Sequence, residues 1–225
     1  MAKEIVTKKL FIEISKSIGK ISAEVIVPGK PKAIITLAHG AGAGMNHPFM
    51  ARISNELAAL SIATLRFNFP FTENKKGRPD PPAVAEKTIE MVMNKVHELY
   101  PKLPVFGAGK SFGGRMTSQR LSKESPAFMR GIFFLGFPLH APGAPSTDRA
   151  KHLADVKIPM LFLQGTRDAL ADMTLMTKVI KTLPTATLVT FEGADHSFKA
   201  GKQDLLPKLA SIISEWIDQV LNHSR

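Results

Sequence analysis

Two rhythms of apolar residues alternate along this chain. Short, largely apolar runs at 33–38, 62–67, 105–109, 131–135, 160–164 and 187–191 recur between longer stretches with apolar residues three or four apart. A run apolar at nearly every position suits a strand buried on both faces, the pattern of a parallel sheet. The spaced stretches predict helices. One begins at Pro48, whose missing N–H is not needed in a first turn, and continues through Phe49, Ile53, Leu57 and Leu60. Another covers 83–99 with Val84, Thr88, Met91, Val92 and Val96 on one stripe, and a last one covers 203–221 on Leu206, Leu209, Ile213, Trp216 and Val220. Shorter helices are predicted from 112 to about 121, at 148–156 and at 170–183. The opening differs. Residues 9–14 and 21–27 alternate apolar with polar across Ser17-Ile18-Gly19-Lys20, which predicts an antiparallel hairpin closed by Pro28-Gly29-Lys30-Pro31. Strand and helix in alternation imply an α/β fold. Its mostly parallel sheet of about eight strands carries helices on both faces, in a single domain over 1–225.

Composition narrows this picture. The 225 residues are 44% hydrophobic, enough for a large core, and include no cysteine, so disulfides and thiol catalysis are excluded. Met1 to Lys9 holds no apolar core of leader length and no later run is long enough to span a bilayer, so a cytoplasmic protein with no membrane partner is expected. The net charge of +11 comes from basic residues scattered in nothing longer than pairs, without interleaved aromatics. That reads as a solvated surface rather than a nucleic-acid footprint, and it leaves an acidic substrate open. No metal-ligand cluster and no cofactor motif is present, so no cofactor is expected.

Candidate chemistry gathers at Gly109-Lys110-Ser111-Phe112-Gly113, a match to G-x-S-x-G between the apolar run ending at Gly109 and a helical stretch. In such a strand–turn–helix the serine stands in a strained conformation at the tip, and the flanking glycines leave room for it. The same residues include Gly-Lys-Ser, the end of a phosphate-binding loop, but that motif needs glycine at 104, where Pro104 stands. Two further strand ends carry suitable partners. Gly165-Thr166-Arg167-Asp168 follows one strand, and Glu192-Gly193-Ala194-Asp195-His196-Ser197-Phe198 follows the next. Nucleophile, acid and base then occur in the order Ser111, Asp168, His196, each on the loop after a strand. Asp172 competes with Asp168 four residues on, but Asp168 directly follows the strand.

These residues, with His39-Gly40-Ala41-Gly42, Arg66-Phe67-Asn68-Phe69-Pro70 and Gly136-Phe137-Pro138-Leu139-His140, resemble the α/β-hydrolase superfamily over nearly the whole chain. More narrowly, the chain resembles a small lidless branch grouped with dienelactone-hydrolase-like proteins. Dienelactone hydrolases proper use cysteine where this chain has Ser111, so their lactone substrate is not implied. The resemblance implies Ser111 as nucleophile, His196 as general base and then acid, and Asp168 as the orienting carboxylate. It implies an oxyanion hole from the backbone N–H of Phe112 and of Ala41, with Gly42 as the alternative to Ala41. His39 is expected to support the loop rather than react, and Asp195 to shape the turn. Many relatives insert a lid between the sixth and seventh strands; here residues 137–147 are too short for one and hold Pro138, Pro142 and Pro145.

The expected activity is therefore hydrolysis of a small or accessible ester, thioester or lactone through an acyl-enzyme, with a small acyl compound as the partner. Activity is expected to fall below about pH 6.5, where an ordinary histidine is protonated. Phe69, Phe71, Phe137, His140 and Phe198 are expected to line the pocket, and Arg78 to meet an anionic group. The rival reading is a catalytically idle hydrolase fold that binds an acidic partner, a use to which the branch's relative in a eukaryotic chromatin-modifying complex lends support.

Overall fold

The computed structural model describes residues 5–223. Met1 to Glu4, where the expectation of no leader begins, lie outside the described residues, as do Ser224 and Arg225. The chain opens with the hairpin β1 (Ile5–Ser15) and β2 (Gly19–Pro28), turning where Gly19 takes φ +89°. The hairpin is longer than its alternation predicts, because antiparallel pairing continues from Ile12↔Ile21 out to Ile5↔Pro28. Strands β3 (Ala33–Ala38), β4 (Ile62–Phe67), β5 (Val105–Lys110), β6 (Met129–Leu135), β7 (Met160–Gly165) and β8 (Ala186–Phe191) complete the sheet. Its order is β1-β2-β4-β3-β5-β6-β7-β8, with β2 antiparallel to β4 and every later pairing parallel.

The continuously apolar strands face helices on both sides, which is why they tolerate no polar face. In β3, Ile35 and Leu37 pack with Met50, Ile53 and Leu57 of α1 (Pro48–Ala59) and with Leu209, Ile213 and Ile217 of α6 (Leu206–His223). Ile34 looks the other way, into a core shared with Ile89, Val92 and Val96 of α3 (Pro82–Leu99) and Met116 and Leu121 of α4 (Phe112–Lys123). Residues 148–155 wind as 3-10 turns rather than as the expected α-helix.

Three boundaries differ from the sequence pattern for local reasons. Pro70 starts a four-residue helix, α2 (Pro70–Glu73), in a connection expected to be a loop. Helix α5 (Met173–Lys181) starts later than 170, because residues 168–171 form a turn around Asp168 and Asp172 then caps the helix by accepting the Leu175 N–H at 2.9 Å. Helix α6 starts after 203, since Gln203 is bridged back to Ala200 and Asp204 accepts the Leu206 N–H at 3.3 Å. The link from β6 to the 3-10 segment is short, and among the described residues no lid stands over the ends of the parallel strands. Among the described residues no helix is long and apolar enough to cross a membrane.

Candidate active site

Four loops leave the carboxyl ends of neighbouring parallel strands, the place where such sheets expose their ligand crevice. The loop after β3 carries Gly40 to Ala43, that after β5 carries Ser111, that after β7 Asp168 and that after β8 His196. A cleft of about 770 Å³ lies among them, lined by Gly40, Ala41, Gly42, Ser111 and His196 together with Phe49, Leu170 and Phe198.

Ser111 is held at φ +51°, ψ −117°, a region an L-residue adopts only under constraint. Packing supplies the constraint. A Cβ on Gly109 would lie 2.2 Å from the Gly114 nitrogen, and one on Gly113 would lie 2.6 Å from the carbonyl oxygens of both Ala38 and His39. Helix α4 therefore rests against the end of β3 at a separation only glycine permits. The same contact brings Ser111 beside the Gly40 loop, where a Cβ on Gly40 would stand 3.7 Å from that of Ser111.

Phe112 is the first residue of α4, so its N–H lacks an intrahelical acceptor. Ala41 and Gly42 belong to a turn closed by Ala43 N–H donating to Gly40 O at 3.2 Å. Several buried and half-buried groups fix this turn. Arg66 donates to Met45 O at 2.9 Å while Met45 N–H donates to Asn68 Oδ1 at 2.9 Å, and Thr72 donates to Ala43 O at 3.3 Å. His39 donates from Nδ1 to Gly40 O at 2.8 Å and accepts the Phe69 N–H at Nε2, 3.1 Å away, which fixes its neutral tautomer. Burial pulls its pKa down to about 4, against the opposing pull of the Gly40 carbonyl.

His196 hydrogen-bonds Asp168 through Nδ1···Oδ2 at 2.7 Å. The Asp168 carboxylate is fully enclosed and also accepts Gln164 Nε2–H at 2.6 Å and Leu170 N–H at 2.8 Å. Burial raises its pKa, but the hydrogen bond and charge of His196, the Leu170 N–H and Lys110 outweigh that and hold it below the usual carboxylate range. No hydrogen bond joins Ser111 to His196, whose Nδ1 is taken by Asp168. Asp172 is occupied as the α5 cap, and Asp195 shapes the turn by accepting Ser197 and Lys199 N–H at 2.8 and 2.9 Å.

Two residues at the site carried no expected role. Gln164 sits in the apolar run of β7, fully buried, orienting Asp168 with one end and accepting the Phe137 N–H at 2.9 Å with the other. A polar side chain inside a run buried on both faces is the signal that identifies it. Lys110, just before the serine, sends its ammonium to His196 O at 2.6 Å and lies 5.8 Å from the centre of the Phe198 ring. Burial pulls its pKa down to about 8, against the Asp168 and Asp195 charges.

Of the side chains expected around a pocket, Phe198 lines the cleft. The others are placed differently. Phe69 and Phe71 are buried behind the Ser111 turn, packed edge-on against both Phe112 and His39, where they back the start of α4 and the Gly40 turn instead of lining the cleft. Phe137 turns into the core against Phe134 and Phe162. His140 is buried with both ring nitrogens engaged, by Ala141 O and by the Asp172 N–H, each at 2.8 Å. Arg78 is exposed on the 74–81 connection, away from the cleft lining. Among the described residues no group of three or more His, Cys, Asp or Glu is arranged to hold a metal ion.

A family model described as an alpha/beta hydrolase domain matches residues 31–224. Among solved structures, dienelactone hydrolase from Anabaena variabilis ATCC 29413 superposes with a TM-score of 0.77 at 18% identity, covering 96% of this chain and 98% of that one. A lidless serine hydrolase from Xanthomonas campestris gives 0.72 at 20% identity, covering 95% and 94%. Est1E from Butyrivibrio proteoclasticus, with ferulic acid bound, gives 0.76 at 15% identity, covering 95% and 99%. At these identities the likeness is one of fold.

Proposed function

The chain belongs to the alpha/beta-hydrolase family, and we propose that it is a serine hydrolase cleaving a small or accessible carboxylic ester, thioester or lactone. The observation that carries this reading is the Asp168–His196 hydrogen bond of 2.7 Å opening on the cleft that also holds Ser111 at its strained φ of +51°. In the first step Ser111 Oγ attacks the carbonyl carbon while His196 Nε2 takes its proton. The tetrahedral oxyanion lies between the N–H groups of Phe112 and Ala41, each such donor being worth about 3 kcal/mol of barrier. Collapse breaks the bond to the alcohol or thiol, which leaves with the proton from His196. Water then repeats the sequence on the acyl-enzyme, releasing the acid and restoring Ser111.

Asp168 stays ionised throughout and stabilises the imidazolium that forms. Its hydrogen bonds from Gln164 and Leu170 leave it one orientation, so His196 is held in one orientation too. The test is intact-mass spectrometry after exposure to a fluorophosphonate probe. One adduct per wild-type chain is expected, with none on Ser111→Ala and a strongly slowed reaction on His196→Ala. Unlabelled but folded wild type would overturn the reading in favour of a binding module with an idle site.

A further inference from the structure

The charged residues around the cleft are unevenly matched. Arg52, Lys110, Lys199 and Lys202 line it, and Asp204 is the one carboxylate among the lining residues. Asp204 is already paired with Arg52 at 2.6 Å, and Lys110 is committed to His196 O. That leaves Lys199 and Lys202, whose ammonium groups meet no protein acceptor among the described residues. Beyond the paired Asp204 the lining holds no carboxylate, while apolar surface is plentiful, from Phe49, Met50, Leu170, Phe198, Leu205 and Leu206. An amphiphilic ligand with one anionic end fits such a surface.

The two lysines also stand on a fixed support. Directly before His196, Asp195 ties the loop together. Its side chain accepts Ser197 and Lys199 N–H, its carbonyl accepts Phe198 N–H at 3.0 Å, and its own N–H donates to Lys199 O at 3.1 Å. Phe198 is held at φ +59° with its ring stacked on Phe49 and edge-on to Phe191, and Gln203 N–H donates to Ala200 O at 3.2 Å. Scattered surface lysines are the ordinary state of a chain with net charge +11. Here, however, both members of the unmatched pair, though exposed, line the cleft from a loop ordered through the same turn that carries His196.

We propose that the cleft selects acyl compounds bearing a carboxylate away from the scissile bond, held by Lys199 and Lys202. This specificity rests on the serine-hydrolase reading above. Attraction to a charged rim raises encounter and orientation together, and it weakens as salt screens it.

The test uses the full chain, with active sites first counted by fluorophosphonate labelling; absence of labelling would remove the hydrolase reading and this one with it. On labelled protein, kcat/KM is compared within two matched pairs: mono-p-nitrophenyl adipate against p-nitrophenyl hexanoate for the acyl side, and p-acetoxyphenylacetate against p-tolyl acetate for the leaving side. In at least one pair the anionic member is expected to be preferred about tenfold at low salt. The preference should shrink in high salt and fall to near parity in Lys199→Gln/Lys202→Gln. Because the ratio is taken within each variant, any general loss of folded enzyme cancels. Parity in both pairs with labelled wild type, or a preference untouched by the double substitution, would overturn the specificity while leaving the hydrolase reading standing.

Discussion

Lys110 joins the turn of Ser111 to the loop of His196 across 86 positions of sequence, through one hydrogen bond of 2.6 Å from its ammonium to His196 O. Its pKa, drawn down to about 8 by burial, still leaves it mostly charged at neutral pH, so the bond is charge-assisted. The desolvated ammonium is a burden on folding that this bond and the Phe198 ring only partly offset, since burying a charge is unfavourable unless it is fully partnered. Stability and reactivity should therefore separate at this position. Lys110→Met keeps the length and apolar stem but frees the His196 carbonyl. Fluorophosphonate labelling should slow about ten- to a hundredfold, the range of a lost charged hydrogen bond, while the urea midpoint stays near that of wild type. Labelling at the wild-type rate would show that His196 is positioned without Lys110.

At the scale of elements, the site depends on how closely α4 approaches the end of β3. Gly113 is where that approach is tightest, and Gly42, on the facing turn, has nothing within 4 Å of the position its Cβ would take. The pair makes a matched experiment. Gly113→Ala must push backbone from backbone, so it should destabilise by about 2 kcal/mol or more and abolish labelling. Gly42→Ala should unfold at nearly the wild-type urea concentration. Equal losses would mean that something other than this packing demands glycine at 113.

This dependence also explains what sequence could and could not reveal. Ser111 and Asp168 were legible as candidates because each follows a strongly apolar strand within a few residues of its end, whereas His196 follows the mixed strand β8 and was legible by its place in the order after them. The buried strands were legible for the same reason, since a run apolar on both faces has few other folds open to it. Arg66 and Asn68 stood out as part of a motif, but their work of clamping Met45 from both sides is done across 21 and 23 positions and leaves no local pattern. The aromatic residues after strand ends were the least legible. Whether Phe69 or Phe198 faces the cleft depends on which way the chain turns after its strand: Pro70 starts α2 and draws Phe69 inward, whereas the Asp195 turn brings Phe198 over the cleft wall.

The stability of the whole molecule should carry the signature of buried neutral histidines. Burial pulls His39 down to about 4, and it does the same for His152 with help from the nearby Arg115, against Asp155. In the unfolded chain both return to the ordinary value of about 6.5. Protonation then favours the unfolded chain, so stability is fully present above about pH 6.5 and is lost as pH falls toward 4. For His39, which is wholly enclosed, the complete loss is about 3 kcal/mol; the half-buried His152 contributes less. The window separates this effect from that of Asp168 and Glu73, whose pKa values are held low in the folded protein. Carboxylates of that kind lose their stabilising contribution only as pH falls through and below their ordinary value of about 4. Urea unfolding followed by the fluorescence of Trp216, the single tryptophan, gives the measurement. The midpoint should drop between pH 7 and pH 4.5 in wild type. His39→Asn should start lower at pH 7, having lost the bonds to Gly40 and Phe69, yet fall by less on acidification. An unchanged wild-type midpoint would mean that His39 accepts a proton without disturbing the Phe69 N–H aimed at its Nε2, and the neutral tautomer that supports the Gly40–Ala43 turn would have to be abandoned.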